Sequence, residues 1–261
     1  LLYSILMPEL PEIEVLKRSL IKNVLFSKIL KIKVNNKHLR YKVPQNLNKS
    51  LSGKTINNVS RISKYLLINF KPKMNLSIHL GMSGTIHLVK DLSRKKTNAS
   101  FYKNQHLPKK HNHIIINLDN GVKLIYNDPR RFGYFKLFKG NFFEQKPFNR
   151  LGPDPFSIKF NYQYINNFIK NRKKNIKNLI MDQNFVSGIG NIYANEILFY
   201  CYLNPLKNAS KLSKKNIFDL IKFTKKVLNK AILFGGSTIK DFKKSNGDFG
   251  KFQQNFKVYG K

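Results

Sequence analysis

The residues best placed to do chemistry begin at Pro8 and Glu9, directly after Met7. If translation starts at Met7 and that methionine is removed, Pro8 becomes a terminal secondary amine beside a carboxylate. A terminal amine has an ordinary pKa of about 8, against about 10.4 for lysine, so far more of it is neutral and nucleophilic at pH 7. Its attack on an aldehyde-level carbon would give an iminium ion, which is an electron sink. The alternative is structural, because proline and acidic residues also favour the first turn of a helix.

Three further segments carry side chains suited to binding or proton transfer. Lys64 precedes an apolar strand pattern, where it either contacts phosphate, donates a proton or simply ends the strand in solvent. Met82 stands on a tight turn between glycines, which favours an exposed side chain, and Arg130 and Phe132 follow a rigid Asp-Pro pair. Enzymes that act on a base inside duplex DNA extrude it, and apolar wedges with an arginine can fill the vacated stack. Ordinary turns are the alternative for both tips.

Two more motifs concern phosphate or metal binding. His111 and His113 alternate along one predicted strand, but no third ligand is evident, so a phosphate contact or a strand-end hydrogen bond is favoured over a metal. In the segment NFVSGIGNIY two glycines tighten a turn, and Asn191 is predicted to cap the helix that follows. The free backbone N–H groups of that helix start would hold a phosphate.

The charge of the chain indicates a polyanionic partner. Among 261 residues, 49 are Lys or Arg and only 13 are Asp or Glu, a formal net charge of +36. A chain rich in Lys, Asn and Ile also reflects A/T-rich codons, so codon drift explains part of this magnitude. Three of the scarce acids, Glu9, Glu12 and Glu14, crowd around Pro8. A cationic RNA- or ribosome-associated protein would explain the charge but none of the motifs.

Other compositional features bound the compartment and the cofactors. The single cysteine, Cys201, excludes an internal disulfide framework and suits a reducing cytoplasm. No apolar run approaches the ~18–20 residues of a membrane span. Residues 1–6 begin with leucine and are too short for a secretory signal, so we expect a non-native leader.

The hydrophobic periodicity predicts an α+β fold. A leading amphipathic helix over residues 11–25 is followed by short apolar or alternating runs typical of a β-sandwich, interrupted by a polar loop over residues 90–110. A second, helical part follows a proline-containing linker, with weak strand character at residues 256–259. The predicted strands are residues 29–34, 55–62, 65–70, 76–80, 84–89, 114–118, 122–126 and 133–138, and the later helices are 162–170, 176–181, 192–199 and 217–233.

This organisation gives predicted domain boundaries. Residues 1–6 form the leader, 7–140 the β-sandwich domain that would carry catalysis, 141–155 the linker, and 156–261 the helical domain. A cleft of the size of a DNA duplex can lie between the two domains.

Ten motifs in order resemble one family, the formamidopyrimidine-DNA glycosylases of bacterial 8-oxoguanine repair. The motifs are PELPEIE, RxxKYLL, HLGMSG, KHNH, DPRRFG, LGPDP, IK…MDQ, GIGNIYANE, GGSTIKDF and VYG, and they span residues 7–259. The sister family, endonuclease VIII, shares the fold but typically has Gly where Leu10 stands. The resemblance implies an N-terminal β-sandwich followed by a helix-two-turn-helix domain.

The resemblance also implies a catalytic set. Pro8 would be the Schiff-base nucleophile at the sugar C1′, Glu9 the acid that assists opening of the sugar ring, and Lys64 the proton donor and phosphate contact of β-elimination. The enzyme would be a bifunctional DNA glycosylase and apurinic-site lyase, a cytoplasmic bacterial monomer acting on oxidised purines in double-stranded DNA. An endonuclease VIII-like enzyme for oxidised pyrimidines and a decayed, non-catalytic DNA-binding remnant are the alternatives.

Further positions match DNA-contacting residues of the family. Residues 237–252 correspond to the loop that covers the flipped base. The implied void-filling triad is Met82, Arg130 and Phe132, and the implied DNA contacts are His111, Arg130, Arg172 and Asn191.

Two departures from the family bear on activity. The family ends in a zinc finger with four cysteines after VYG, whereas this chain has Cys201 alone, so we expect no metal ligands, no zinc and no finger arginine for the final δ-elimination. If residues 1–6 stay attached, Pro8 is an amide without a lone pair for attack, and no glycosylase reaction can follow.

Overall fold

The computed structural model describes residues 7–92, 95–97, 109–236 and 252–260. Its first element, α1, is the helix Leu10–Val24, which begins one residue before the predicted start. The carboxylate of Glu12 accepts a hydrogen bond of 2.9 Å from the backbone N–H of Glu9, so the sequence itself satisfies a donor at this helix end. The apolar stripe of α1 is buried along its whole length, which fixes the helix against the sheets.

Within the described residues, nine strands form two antiparallel sheets. One sheet has the order β1-β7-β8-β5-β6 and the other β2-β3-β4-β9. A short helix not predicted from the sequence, α2 (Leu47–Leu51), lies between the first two strands. The strands are β1 (Ile29–Val34), β2 (Ile56–Ile62), β3 (Tyr65–Phe70), β4 (Met74–His79), β5 (Thr85–Leu92), β6 (Lys95–Thr97), β7 (Asn112–Leu118), β8 (Val122–Asn127) and β9 (Tyr134–Lys139).

The apolar faces of both sheets share one core with α1, as the predicted sandwich requires. Ile78 of β4, Ile116 of β7 and Leu20 of α1 belong to the same buried cluster. All eight predicted strands are present: those at residues 29–34 and 65–70 have the predicted bounds, and the ends of the other six are shifted by one to three residues. The expectation of a continuous loop over residues 90–110 is wrong in one part, because β5 runs on to Leu92 and pairs with β6. The three residues of β6 have no apolar alternation, so the sequence gives no signal for that strand.

The second half of the described chain is helical. It contains α3 (Tyr162–Ile169), α4 (Ile176–Ile180), α5 (Asn191–Tyr200) and α6 (Lys214–Leu233), packed around a second buried cluster. Polar side chains start three of these helices: Asn161, Asn175 and Ser213 each accept from a backbone N–H of the first turn. In the described part of the chain, no helix is both long and apolar enough to cross a membrane.

The predicted weak strand at residues 256–259 is wrong. Phe252–Asn255 is a 3₁₀ helix, and the residues after it form bends and turns. The backbone N–H groups of Lys257, Val258 and Tyr259 donate instead to the buried carboxylate of Glu196 on α5, at 2.9–3.1 Å. Side-chain acceptors therefore satisfy the donors that a sheet partner would have satisfied.

Helix α1 joins the two cores. Leu10, its first residue, belongs to the helical cluster, whereas the residues from Ile13 onward belong to the sandwich cluster. The backbone N–H of Leu10 donates to the carbonyl of Gly188 at 3.0 Å. Gly188 has a φ of +98°, and a Cβ there would lie 2.7 Å from the Leu10 side chain. The start of α1 thus packs against the loop before α5. This contact places residues 7–9 where the sandwich and the helical domain adjoin.

Candidate active site

The site is organised around the carboxylate of Glu9, which is 2% exposed. Its two oxygens accept hydrogen bonds from the backbone N–H groups of Gly190, at 2.6 Å, and Ile192, at 3.0 Å. These N–H groups belong to the start of α5, whose dipole favours an anion. The predicted cap is therefore wrong: Gly190 is the N-cap residue, Asn191 is the exposed first residue of the helix, and Glu9 occupies two of the N–H groups expected to hold phosphate.

Lys64 reaches the same point from the sandwich. It lies in the turn between β2 and β3, after Ser63 with a φ of +55°, and is only 7% exposed. A Cβ on Gly190 would lie 2.5 Å from the Glu9 Cδ and 2.8 Å from the Lys64 Nζ. Both side chains therefore lie against Gly190, and only a residue without a side chain leaves room for both.

Burial shifts the pKa of each group in the direction that favours its uncharged form. Desolvation raises the pKa of Glu9 to about 7, although the Lys64 charge and the backbone N–H groups act in the opposite direction. Burial lowers the pKa of Lys64, opposed by the charges of Glu9 and Glu12. A carboxyl that titrates near neutral pH beside a lysine with a lowered pKa is suited to passing protons in both directions.

Pro8 adjoins this pair through the chain itself. It is half-buried, while Met7 before it is exposed. While Met7 is attached, its carbonyl acylates the Pro8 nitrogen, and an amide nitrogen is no nucleophile. Removal of the residues before Pro8 would leave a secondary amine one residue from the buried Glu9 carboxyl.

A second buried carboxylate, Glu12, supports the first. It is 2% exposed and accepts a hydrogen bond of 2.7 Å from the hydroxyl of Tyr193 on α5, besides the one from the Glu9 N–H. At the end of α6, a Cβ on Gly236, whose φ is +87°, would lie 2.9 Å from the Glu12 Oε1. Glu12 therefore lies against both α5 and the chain that follows α6, and neither contact has a local sequence signal.

Gln183, the last residue of the IK…MDQ motif, helps to build the site, although the sequence analysis gave it no role. Its Oε1 accepts from the Gly188 N–H, at 2.8 Å, and from the Ser63 hydroxyl, at 3.1 Å. Its Nε2 donates to the carbonyls of Met181, at 2.9 Å, and Ile189, at 2.8 Å. One side chain thus couples the loop that leads to Gly190 with the turn that carries Lys64.

An ion-pair network holds the domains together behind the site. The Arg61 guanidinium, 7% exposed, contacts Glu14 of α1 at 3.1 Å and Asp154 at 2.8 Å, and also donates to the Ser63 carbonyl. Burial acts to raise the pKa of Glu14, but Lys17 and Arg61 outweigh it and hold that pKa below its usual value. Arg61, from the motif RxxKYLL, therefore stabilises the turn that carries Lys64 through its hydrogen bond to the Ser63 carbonyl.

The structure brings the three predicted void-filling residues together. Met82, Arg130 and Phe132 line one pocket of about 720 Å³. Phe132 is 40% exposed, with the Arg130 guanidinium 4.5 Å from its ring, whereas Met82 is half-buried and not exposed as predicted. Met82 is half-buried because its turn packs closely against the turn that carries Arg130 and Phe132. A Cβ on Gly81, whose φ is +66°, would lie 2.4 Å from the Phe132 backbone.

The remaining candidates fall in three places. His111 is half-buried, and its carbonyl accepts from the Asp128 N–H at 3.0 Å, which places it beside the Arg130 tip. His113 is 3% exposed and bonded at 2.7 Å to the Asp128 carbonyl, a strand-end contact. Arg172 is exposed after α3, with its guanidinium 4.2 Å from the Phe168 ring. Of the predicted covering loop, residues 237–251 lie outside the described residues.

Comparison with known sequence families agrees with this geometry. The formamidopyrimidine-DNA glycosylase N-terminal domain matches residues 7–135, and the formamidopyrimidine-DNA glycosylase H2TH domain, the helix-two-turn-helix, matches residues 151–243. The chain belongs to the formamidopyrimidine-DNA glycosylase family. The predicted family and fold class are confirmed, and the chain is a DNA glycosylase by this membership.

Individual relatives and structures cover nearly the whole chain. The formamidopyrimidine-DNA glycosylase of Rickettsia massiliae is 42% identical over 98% of this chain and 87% of its own length, and that of Wolbachia pipientis is 40% identical over 98% and 89%. A mutant of Lactococcus lactis FPG with DNA containing Fapy-dG superposes with a TM-score of 0.82 at 31% identity, over 97% of this chain and 89% of that one. The Lactococcus lactis complex with abasic-site DNA gives 0.80 at 30%, over 97% and 88%. None of these relatives supports the endonuclease VIII-like or non-catalytic alternatives.

The glycosylase family's zinc finger has no matching donor set in the described part of this chain. No three His, Cys, Asp or Glu side chains there are grouped to hold a metal. Cys201 is free and buried after α5, and desolvation raises the pKa of its thiol to about 12, which disfavours the thiolate that zinc requires.

Proposed function

We propose that this glycosylase removes oxidised purines, 8-oxoguanine and formamidopyrimidines, from duplex DNA through a Schiff base on Pro8, and then cleaves the strand as a lyase. The observation that carries the proposal is that buried Glu9, the residue after Pro8, and buried Lys64 both lie against Gly190. Relatives crystallised with Fapy-dG DNA and abasic-site DNA support the substrate class.

The first step uses the secondary amine and the neutral carboxyl. The Pro8 nitrogen forms a bond to C1′ as the bond from C1′ to the damaged base breaks, and the base leaves with a proton. Protonated Glu9 donates to the ring oxygen, the C1′–O bond opens, and an iminium ion remains. Because burial raises the pKa of Glu9 to about 7, a large share of the carboxyl holds that proton at neutral pH.

Strand cleavage follows from the iminium ion. Water takes a proton from C2′, which moves electrons into the iminium sink, and the bond from C3′ to the phosphate oxygen breaks. Lys64, within reach of Glu9, contacts the departing phosphate and supplies the proton. Burial lowers the pKa of Lys64, which favours release of that proton, although the charges of Glu9 and Glu12 oppose this shift.

Recognition of damaged DNA rests on the turns that carry Met82, Arg130 and Phe132 and on the positive charge of the chain. Met82, Arg130 and Phe132 fill the stack after the base is flipped, and they lower the energy of the flipped state without taking part in bond chemistry. His111, Arg172 and Asn191 contact phosphates, and the chain works as a monomer on double-stranded DNA. The net charge of +36 speeds capture of DNA of any sequence.

The proposal is tested with protein that begins at Pro8 and with matched protein that keeps residues 1–7. On a duplex with one 8-oxoguanine, the first should release the base and nick the strand without added alkali, and the second should do neither. Excision should also decline as pH rises through about 7, because ionised Glu9 cannot donate its proton. Absence of nicking by the protein that begins at Pro8 would refute the proposed function.

A further inference from the structure

A second pocket, of about 600 Å³, lies on the four-stranded sheet and belongs to none of the roles above. Three rings form its floor by strand register: Tyr65 on β3 pairs with His79 on β4, and His79 pairs with Tyr134 on β9. The centroids are 4.9 Å apart for Tyr65 and His79 and 5.3 Å for His79 and Tyr134, the latter pair stacked. Tyr41 adds a fourth ring, edge-on to Tyr134 at 5.0 Å.

The hydrogen bonds and the burial of these rings keep the two phenols and the imidazole uncharged. Tyr134 donates its hydroxyl proton to the Tyr65 hydroxyl at 3.0 Å, and burial raises the pKa of both phenols. The Gly81 N–H donates to the His79 Nδ1 at 3.1 Å, so the ring proton lies on Nε2. Burial, helped by Lys64 and Arg40, lowers the pKa of His79 to about 4, and the imidazole is neutral at pH 7.

The rim of this pocket is cationic. Arg40, Lys42, Lys136 and Lys146 are among the residues that line it, and no carboxylate is among those residues. Lys136 donates to the Lys146 carbonyl at 2.9 Å, which holds its ammonium at the rim. Aromatic rings beneath a cationic rim are complementary to a planar base that carries a phosphate.

The pocket also adjoins the one that holds Met82, Arg130 and Phe132. Arg40 and His79 line both cavities. The two cavities are therefore separated by no more than these two side chains. Its volume of about 600 Å³ lies in the range of small-molecule sites, roughly 300–1,000 Å³.

We infer that this pocket binds an unstacked nucleotide, with the base against Tyr41 and the phosphate among Arg40, Lys42 and Lys136. The shared chemistry is a nucleobase with its phosphate, and it has two sources: a nucleotide within a DNA strand, or a free mononucleotide. The inference does not depend on the glycosylase reaction, since the site contains neither Pro8 nor Glu9.

The test uses lesion-free DNA, so failure of the proposed catalysis would not affect it. Binding of a labelled single-stranded pentanucleotide is measured by fluorescence anisotropy in about 0.2 M salt, where weak diffuse contacts are suppressed. Tyr41, which is 58% exposed, can be replaced without disturbing the core. Tyr41→Ala should weaken binding about tenfold or more, as loss of one stacked base does, and Tyr41→Phe should retain it.

The matched control is Tyr202→Ala, since Tyr202 is 94% exposed and lies after α5. It should bind like the parent protein. Competition by millimolar dAMP would show that a free nucleotide suffices, whereas resistance to dAMP would identify the DNA strand as the source. Equal binding by Tyr41→Ala and the parent, or equal loss in Tyr202→Ala, would overturn the inference.

Discussion

Gly190→Ala is the substitution that tests the site geometry most severely. The backbone at Gly190, with φ −128° and ψ −160°, is open to any residue, so the effect of the change is purely steric. The new Cβ would lie 2.5 Å from the Glu9 carboxyl carbon and 2.8 Å from the Lys64 Nζ, whereas ordinary contacts begin at 3.4 Å. The carboxyl must therefore move by about 0.9 Å, the difference between 3.4 Å and 2.5 Å.

This displacement can be converted into expected magnitudes. A misplacement of about 1 Å in a catalytic group reduces the rate roughly 100-fold. Overpacking of a filled interior costs about 1–3 kcal/mol, and the hydrogen bonds from the Gly190 and Ile192 N–H groups to Glu9 weaken as well. We therefore expect Gly190→Ala to lose about two orders of magnitude in both excision and strand cleavage, with a smaller loss of stability.

The assay is single-turnover excision from 8-oxoguanine duplex, with strand cleavage at a ready-made abasic site measured in parallel. Ile197→Val, a fully buried change on the same helix, is the control for stability, with an expected loss of about 0.5–1.5 kcal/mol. It should lower Tm and leave the rate nearly unchanged. Activity of Gly190→Ala within threefold of the parent, at a temperature where both are folded, would refute the reasoning.

Three further predictions concern recognition and positioning. Phe132→Ala should slow excision from duplex DNA and spare cleavage at a ready-made abasic site, because the cost of unstacking falls only on a stacked base; equal loss on both substrates would count against void filling. Gln183→Leu should lower kcat about 10- to 100-fold with little change in KM, since it leaves the Gly190 loop and the Lys64 turn uncoupled; a KM effect alone would contradict this. Lys64→Ala and Arg172→Ala should each flatten the slope of log affinity against log salt by about one unit, whereas Asn191→Ala should weaken binding without changing the slope. A slope near zero in the parent protein would contradict the polyanion hypothesis.

Local periodicity was enough to predict most of the architecture. The short apolar run of β1 and the apolar stripe of α1 are properties of consecutive residues, and both elements lie where the pattern predicts them. The pattern failed where the backbone N–H groups donate to a residue that is distant in the sequence. The segment after Phe256 resembles a strand, but the carboxylate of Glu196, about sixty residues earlier, takes its N–H groups.

The same limit explains which site residues the sequence could not indicate. Glu9 and Gly190 are separated by 181 positions, so the capping of α5 by Glu9 has no local signature, and Asn191 was the plausible cap by residue type alone. Gln183 joins Ser63 across 120 positions in the same way. Motif resemblance identified Lys64, but only the fold shows that it is buried beside Glu9.

The central claim is that the Pro8 nitrogen forms the covalent bond to DNA. Protein that begins at Pro8 is mixed with 8-oxoguanine duplex and borohydride, which reduces an iminium ion to a stable cross-link, and the linked peptide is sequenced by mass spectrometry. The account predicts one cross-link per chain, located on Pro8 and absent when residues 1–7 are retained. A cross-link on a lysine, with Pro8→Gly fully active, would contradict it.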